Sequence, residues 1–550
     1  MSRTGGRLLV DQLHVHGVDI AFCVPGESYL AVLDALYDSP IRLIVCRHEA
    51  GAANMAEAYG KLTGRPGICL ATRGPGATHA SVGLHTAVQG STPLLLLVGQ
   101  VGRSMLEREA FQELDLREVF RGLSKWTAQI DDAERIPELV ARAFAVATSG
   151  RPGPVVLGLP EDMLTDTAEA EDAARYAPVA GHPGTAELER LGELLGESER
   201  PLLLVGEGGW SARAGMDVLA FAEASELPVA ASWRCQDYVD NRSPSYVGHV
   251  GIGVDPKLAA RVRDADLVLA IGGRLSEATT GGYTLLAVPR PRQRLVHVHP
   301  DPEELGRVYQ PELGISSGLQ HFTESLRGQT PLAPRWRDWT RAARAEYEAT
   351  LEPSPGPGRL DLGEVVSFLR GRLPPEAILT SGAGNFAIWW HRFYGFTRYG
   401  TQLAPQSGAM GYGVPAAVAA KLVHPGRPAV CLAGDGDFLM SAGELATAVQ
   451  YGVAIVVLVV NNGMYGTIRM HQERQYPGRV IGTDLANPDF AALAEAFGAH
   501  GEVVERTEDF EAAWERAVGA GRPALLELRV DPEAITPRAT LSQIRAAARG

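Results

Sequence analysis

What this 550-residue chain lacks narrows its reading first. It has five cysteines, Cys23, Cys46, Cys69, Cys235 and Cys431, without the paired spacing of a metal site or a disulfide framework. Most lie in apolar runs, so they are expected as small core residues of a protein kept in a reducing compartment. Basic clusters are absent: 51 Lys and Arg face 65 Asp and Glu, a formal net charge of −14, which argues against a nucleic-acid partner. No apolar stretch reaches transmembrane length, and the longest candidate, AIVVLVV, reads as a buried strand. The start, MSRTGGRLL, carries no secretory apolar segment. A cytoplasmic protein with no membrane partner is the expectation. Glycines at 206, 208, 209, 272 and 273 match no dinucleotide fingerprint.

What is present is alternation. Short β-branched runs such as IRLIVC, PGICLAT, TPLLLLVGQ, PVVLGLP and AIVVLVV alternate with helical segments along the chain. That pattern predicts α/β folding with mostly parallel sheets flanked by helices on both faces. The length is too great for one core and predicts three such domains. Their expected ranges are 1–165, 185–345 and 360–550. An acidic, alanine-rich linker, TDTAEAEDAARYAPVAGHPGT, separates the first two, and LEPSPGPGRL the second pair. His297 and His299 alternate on a strand without carboxylates at ligand spacing and are expected as packed histidines.

The most informative stretch is Gly434–Gly466, GDGDFLMSAGELATAVQYGVAIVVLVVNNGMYG. A strand-like PAVCLAG precedes it. A turn at GDG, a helix, a strand and an oxygen-rich loop are expected in that order. A hard cation such as Mg²⁺ takes an octahedron of oxygens, commonly one or two carboxylates plus phosphate. Asp435 at one strand end and Asn462 at the next would lie on one edge of a parallel sheet, where α/β proteins bind ligands. Glycines flanking Asp435 permit close backbone approach, and a following helix N-terminus can hold phosphate. A metal with a diphosphate is the natural guest.

With 24 residues between GDG and NN, this stretch resembles the thiamine-diphosphate enzymes similar to acetolactate synthase. RHEAGAANMAEAYGKLTGRPG, TRGPGATH, VGQ, AFQE, SKW and ATSGRPGPVVLGLPEDML keep that family's order and spacing. The resemblance implies thiamine diphosphate and Mg²⁺ as cofactors, with the metal on Asp435, Asn462 and the Met464 carbonyl. The implied cofactor set also includes Pro25, Gly26, Gly384, Asn385, Gly408, Met410, Gly434, Gly436, Asp437, Tyr465 and Gly466. Met410 would wedge between the cofactor rings, and the Gly408 carbonyl would accept from the 4′-amino group. Glu49 would hold N1′ of the aminopyrimidine and so promote deprotonation of thiazolium C2. The bland alternative for Glu49 is a helix cap at the end of the strand that delivers it. Gln100, Phe111, Gln112 and Lys125 are implied near the reacting end. Residues from Ile468 to Tyr476 are expected to form a mobile lid.

The implied activity is decarboxylation of a 2-oxo acid with carboligation, two pyruvates giving 2-acetolactate and CO₂. A homodimer or homotetramer is implied, since in the family the glutamate domain of one chain meets the diphosphate domain of another. Alternatives are a 2-oxo acid decarboxylase, a 2-hydroxyacyl-CoA lyase, a carboligase of other substrates or a pyruvate oxidase. A silent assembly protein disagrees with intact Glu49, Asp435 and Asn462. Some family members keep FAD in the central domain and others have lost it, and FAD is not favoured here. The chain departs from the family at Glu27, where a second glycine is usual, at Arg73, usually serine, and in lacking the Gln-His pair near Asn385. These departures leave the donor, the acceptor and any regulatory subunit open.

Overall fold

The computed structural model describes residues 2–329 and 335–549. Met1, residues 330–334 and Gly550, which fall within the expected domain ranges, lie outside the described residues. The chain divides into two compact units. The first comprises residues 1–179, 405–425 and 440–453, and the second comprises 180–404, 426–439 and 454–550.

In the first unit a six-stranded parallel sheet is built from β1 (Ile20–Cys23), β2 (Arg42–Val45), β3 (Gly67–Ala71), β4 (Leu94–Gln100), β5 (Trp126–Gln129) and β6 (Pro154–Pro160). The spatial order is β2-β1-β3-β4-β6-β5. The inner strands β4 and β6 are buried along their whole length, as near-continuous apolar runs covered on both faces must be. The edge strand β2 leaves Arg42 exposed. Leu8, Leu9 and Leu13 of the helix Gly5–Val15 join one core with Leu95, Leu97, Val155 and Leu157. The acidic segment read as a linker is strapped to that same helix. Thr167–Ala168 pairs antiparallel with Arg3–Thr4, Gln12 donates to Asp172 at 2.8 Å, and the Tyr176 amide donates to His16 at 3.2 Å.

The second unit holds two further parallel sheets. One contains β7 (Pro201–Val205), β8 (Val229–Ala231), β9 (Tyr246–His249), β10 (Leu267–Ile271), β11 (Arg294–His299) and β12 (Leu313–Ser316) in the order β9-β8-β7-β10-β11-β12. That is the strand order of dinucleotide-binding sheets. The other contains β13 (Ile378–Ser381), β14 (Gln402–Leu403), β15 (Ala429–Gly434), β16 (Val456–Asn461), β17 (His500–Val504) and β18 (Ala524–Arg529). Its order, β14-β13-β15-β16-β18-β17, repeats the topology of the first unit's sheet. The three-sheet α/β architecture is therefore as the alternation predicts.

The expected core residues are in place. All five cysteines are free and buried, and burial pushes the Cys23 thiol up to about 12. His297 and His299 are buried, with Nε2 of His297 2.8 Å from the Gly273 carbonyl and Nδ1 of His299 accepting from the Asp301 amide at 3.0 Å. Among the described residues no helix is long and apolar enough to cross a membrane.

The segment expected as a mobile lid is the helix Gly466–Gln475, and it is pinned. Its Glu473 is 0% exposed and accepts from both Arg469, at 3.1 Å, and Arg545, at 2.7 and 2.8 Å. The Gly478 amide adds a fourth donor at 2.8 Å. Arg545 belongs to the helix Leu541–Arg549, so one carboxylate fastens two helices together. Hydrogen bonds from Arg545, then from Gly478 and Arg469, hold the Glu473 carboxyl down at about 2 against the opposing effect of desolvation. Because that value is depressed, the stabilisation is fully present above the ordinary glutamate range and fades as pH falls toward 2. Glu473→Gln is expected to raise amide exchange across Leu541–Arg549 at pH 7 by about tenfold or more, from loss of charge-assisted bonds. The mutant should also lose the wild type's loosening between pH 4.5 and 2. Unchanged exchange would show that the helix is held by packing alone.

Candidate active site

The C-terminal edge of the first unit's sheet gathers most of the residues singled out there. Its strand order reverses between β1 and β3, which places a crevice at their C-terminal ends. The β1 exit carries Pro25 and Gly26, and the β3 exit carries Thr72 and Arg73. A Cβ on Gly26 would lie 2.5 Å from the Thr72 side chain, so only glycine lets the two loops meet. Ser28 and Thr72 hydroxyls are 2.9 Å apart across the same junction.

Glu49 is not at a strand end. β2 stops at Val45, and Glu49 is the first residue of the helix Glu49–Thr63. Nor is it the cap: Nδ1 of His48 accepts from the Ala50 amide at 3.1 Å and takes that role. Glu49 is 8% exposed, with Oε2 3.0 Å from Nδ1 of His79. The turn beneath it is held by a residue that the sequence reading passed over. Glu444 accepts from the amides of Arg47 and His48, each at 3.1 Å, and from Thr447 at 2.7 Å. It is 1% exposed, and desolvation raises its carboxyl above the usual range despite these donors. Nothing marked it in sequence beyond a lone acid in a helical segment.

Other expected residues separate. Phe111 is 73% exposed and sits in a loop with Gln112, whose carbonyl accepts from the Gly74 amide at 2.9 Å. Gln100 ends β4 at the correct edge, but its amide is committed: Nε2 donates to Leu114 O at 2.8 Å and Oε1 accepts from Val101 N at 3.0 Å. These two bonds order the chain at the end of β4, and each uses one of the two positions its atom offers. Lys125 is corrected outright. It precedes β5, its amide donates to Pro154 O at the start of β6, and Nζ donates to Ser149 O at 2.6 Å. It therefore lies at the N-terminal edge of a parallel sheet, opposite the edge that carries Gly26 and Gln100. The two departures, Glu27 and Arg73, prove to be partners at 3.5 Å, and Arg73 also pairs with Glu161 at 2.5 Å. The loop with Gly408 and Met410 is anchored by Ser407, whose hydroxyl is 3.0 Å from that of Thr86. Gly408 has φ +71, a left-handed conformation suited to glycine.

In the second unit the third sheet also reverses order between β13 and β15. β15 runs straight into the helix Asp435–Leu439, so the GDG motif is a strand-to-helix junction and not a separate turn. Asp435 is 3% exposed. Its Oδ1 accepts from Gly436 N at 2.9 Å, and its Oδ2 from Gly463 N at 2.9 Å and Asn487 Nδ2 at 2.8 Å. Desolvation nonetheless lifts its carboxyl above the usual aspartate range. Asn487 was missed by sequence reasoning, although it stands in the ANPDF segment. It also donates to Asn461 Oδ1 at 2.9 Å, while its own Oδ1 is buried without a partner among the described residues. Asn462 Oδ1 accepts from Met464 N at 3.2 Å, and Met464 bridges to Asp484. Gly436 lies against the Tyr465 ring, and Gly466 begins the helix that follows.

The loop after β13 is drawn in by Asp437, whose carboxylate accepts from Ala383 N at 3.3 Å. A Cβ on Gly382 would lie 1.9 Å from that carboxylate. Gly384 packs against Phe386, as does Gly434. Asn385 is corrected in its side chain: Nδ2 donates to Ile535 O at 3.1 Å, and Oδ1 accepts from Thr467 at 3.0 Å. The amide is used internally, which leaves the main chain of that loop as the group able to meet a ligand.

A buried carboxylate lifted by desolvation, an orphaned buried amide oxygen and Asn462 nearby in sequence form an oxygen-rich set that fits a hard divalent cation. A second cluster, His48, Glu49 and His79, has ligand atoms within 4.8 Å of one another. Its nitrogen-rich set suits softer metals more than Mg²⁺, and one His48 nitrogen already accepts a backbone hydrogen.

The dinucleotide-type crevice between β7 and β10 is filled by its own residues. Trp210 is buried there, donating to Gly206 O at 3.0 Å and packing against Gly272. Glu207 accepts from the Arg274 amide and pairs with its guanidinium at 3.4 Å. Those residues do not fit a flavin nucleotide at that point.

The chain matches three family descriptions in order. These are "Thiamine pyrophosphate enzyme, N-terminal TPP binding domain" over residues 3–119, "central domain" over 188–326, and "C-terminal TPP binding domain" over 382–528. The acetolactate synthase isozyme 2 large subunit of Escherichia coli (strain K12) is 31% identical over 530 residues, covering 96% of this chain and 95% of that one. The acetolactate synthase large subunit of Corynebacterium glutamicum is 32% identical over 553 residues, covering 96% and 87%. The probable acetolactate synthase large subunit of Methanocaldococcus jannaschii is 31% identical, covering 97% and 93%. The chain thus belongs to the thiamine-pyrophosphate-dependent enzymes, as a decarboxylase or carboligase of the acetolactate-synthase-like kind.

Proposed function

We propose that this enzyme decarboxylates a 2-oxo acid and joins the retained fragment to a second carbonyl compound, with pyruvate in both roles and 2-acetolactate and CO₂ as products. The observation that carries the cofactor part is the buried Asp435 carboxylate beside Asn487 and the NN loop. The substrate part is supported by the names of the full-length relatives. Mg²⁺ would sit on Asp435, Asn462 Oδ1 and the Met464 carbonyl, with backbone groups of the 383–385 loop and of the Asp435 helix junction toward the diphosphate. When bound, thiamine diphosphate supplies the carbon nucleophile and the electron sink that decarboxylation needs.

The chain's own contribution centres on Glu49. Glu444 fixes the turn that presents it, by accepting both preceding amides. His79 occupies Oε2, so Oε1 is the oxygen left to share a proton with the aminopyrimidine. Burial of Glu49 keeps bulk water from competing for that proton. The functional form is proposed to be a homo-oligomer, at least a dimer, in the cytoplasm.

One observation favours a second reading of the substrate. Glu27, Arg73 and Glu161 put an ion-paired group at the sheet edge where the resembling family has glycine and serine. An acceptor other than pyruvate is the alternative it supports. A product assay with Mg²⁺, thiamine diphosphate and a panel of 2-oxo acids and aldehydes separates the two. Acetolactate from pyruvate alone is expected, with Asp435→Ala inactive and unable to retain cofactor by calorimetry. Turnover of other pairs but not of pyruvate would replace the acetolactate reading, and unchanged cofactor affinity in Asp435→Ala would remove the metal assignment.

We propose further that the enzyme works without flavin, because Trp210 and the Glu207–Arg274 pair fill the crevice. Protein purified from cells and then incubated with FAD should show no retained flavin absorbance after desalting. Stoichiometric retention would contradict this reading.

A further inference from the structure

Asn487 reaches Asp435 from a segment that runs beside the NN loop. The Tyr465 amide donates to Thr483 O and the Leu485 amide to Gly463 O, each at 2.8 Å, and Met464 forms an antiparallel bridge with Asp484. That course carries the Asn487 side chain to the end of β15, where Asp435 follows the strand.

The contact made there is a closed ring. Asn487 Nδ2 donates to Asp435 Oδ2 at 2.8 Å and to Asn461 Oδ1 at 2.9 Å. The Gly463 amide faces the same two oxygens, at 2.9 and 3.1 Å. Asp435 and the end of β16 are thus bridged twice, once by the backbone and once by Asn487. Gly463 has φ +69, in the left-handed region, and stands between Asn462 and Met464.

The direction of each amide follows from its partners. Glu527 is 1% exposed, and its Oε1 accepts from Asn461 Nδ2 and from Arg529 Nε, each at 2.9 Å. With that arginine-paired carboxylate on one branch and the Gly463 N–H on the other, Asn461 turns its nitrogen to Glu527 and its oxygen to Asn487. Asn487 then meets two acceptors and has to present its nitrogen. Both hydrogens of that nitrogen are used, one on each oxygen. A hydroxyl carries one hydrogen and an aspartate carboxylate none, so neither could bridge the pair. The Asn487 oxygen stays buried without a partner among the described residues, so the side chain's polar contacts there are made by its nitrogen.

We propose that Asn487 is a positioning residue of the metal centre. It ties the Asp435 carboxylate to the loop that carries Asn462 and Met464, and so sets the spacing of those three oxygens before a cation arrives. The inference rests on the metal reading proposed above. Mg²⁺ demands near-octahedral ligands at about 2.0–2.1 Å, whereas Ca²⁺ accepts a looser set at about 2.3–2.6 Å. A spacing fixed in advance favours Mg²⁺, and loosening it costs Mg²⁺ more than Ca²⁺.

The test is calorimetric titration of the full-length protein, stripped of metal and saturated with thiamine diphosphate, with Mg²⁺ and separately with Ca²⁺. Asn487→Ala is expected to weaken Mg²⁺ binding by about 10- to 100-fold, the usual effect of removing a group that orients a metal ligand. Ca²⁺ binding should weaken by a smaller factor, so the preference for Mg²⁺ falls. Should Asn487→Ala fail to give the native circular dichroism spectrum, Asn487→Ser takes its place. Mg²⁺ affinity equal to that of wild type, or an equal loss for both cations, overturns the proposal. Asp435→Ala separates this outcome from failure of the metal reading. Lost Mg²⁺ binding in Asp435→Ala with wild-type binding in Asn487→Ala removes the positioning role alone. Unchanged Mg²⁺ binding in Asp435→Ala removes the metal assignment and this inference with it.

Discussion

The parallel register of the three sheets is the constraint on which the rest of the structure depends. In a parallel sheet every strand ends at the same edge, and a reversal of strand order opens a crevice there. The first and third sheets share one topology, with reversals between β1 and β3 and between β13 and β15. Gly26, Thr72 and Arg73 come out at one of these points, and Ser381 and Asp435 at the other. The same rule rejects Lys125, which enters a strand and so belongs to the opposite edge. The central sheet reverses as well, but its crevice is closed by Trp210, so a shared edge is necessary for a site and not sufficient.

Buried carboxylates do different work at each reversal. Asp435 takes three hydrogen-bond donors and still has its carboxyl lifted by desolvation, a state that a divalent cation would relieve. Glu444 spends its oxygens on the backbone before Glu49 and acts through position, not contact with substrate. Glu473 is the opposite case: two arginines and a backbone amide hold it ionised, and it locks the helix after the NN loop to the C-terminal helix. That lock ties the segment expected as a lid to the C-terminal helix, so any movement of one carries the other.

Much of this was legible in the sequence where a motif is local. The strand runs, the GDG and NN spacing and the position of Glu49 after β2 all depend on neighbours in the chain. Asn487 and Glu444 were not legible, because their partners stand 52 and 397 residues away in the numbering. An asparagine or glutamate in a helical or loop segment gives no local sign of such a partner. Gln100 was placed on the correct edge, but the Leu114 carbonyl that accepts from its amide comes from a loop whose path the sequence does not show. One miss had a signal. Lys125 stands before a strand, which in a parallel sheet assigns its edge. Trp210, directly after the glycines of GEGG, agrees with the absence of a dinucleotide fingerprint there, since a nucleotide-binding turn needs small residues.

The account rests most heavily on Glu49 as the residue that prepares the cofactor. The direct measurement is hydrogen–deuterium exchange at C2 of bound thiamine diphosphate, by quenched-flow NMR in D₂O, in wild type and Glu49→Gln. The substitution keeps the side chain's size and one acceptor oxygen while removing the shared proton. Exchange is predicted to slow by about 10²-fold or more, the scale of positioned acid–base catalysis, with cofactor and Mg²⁺ still bound. Equal exchange rates in the two proteins would contradict the account and reduce Glu49 to a structural residue at a helix start.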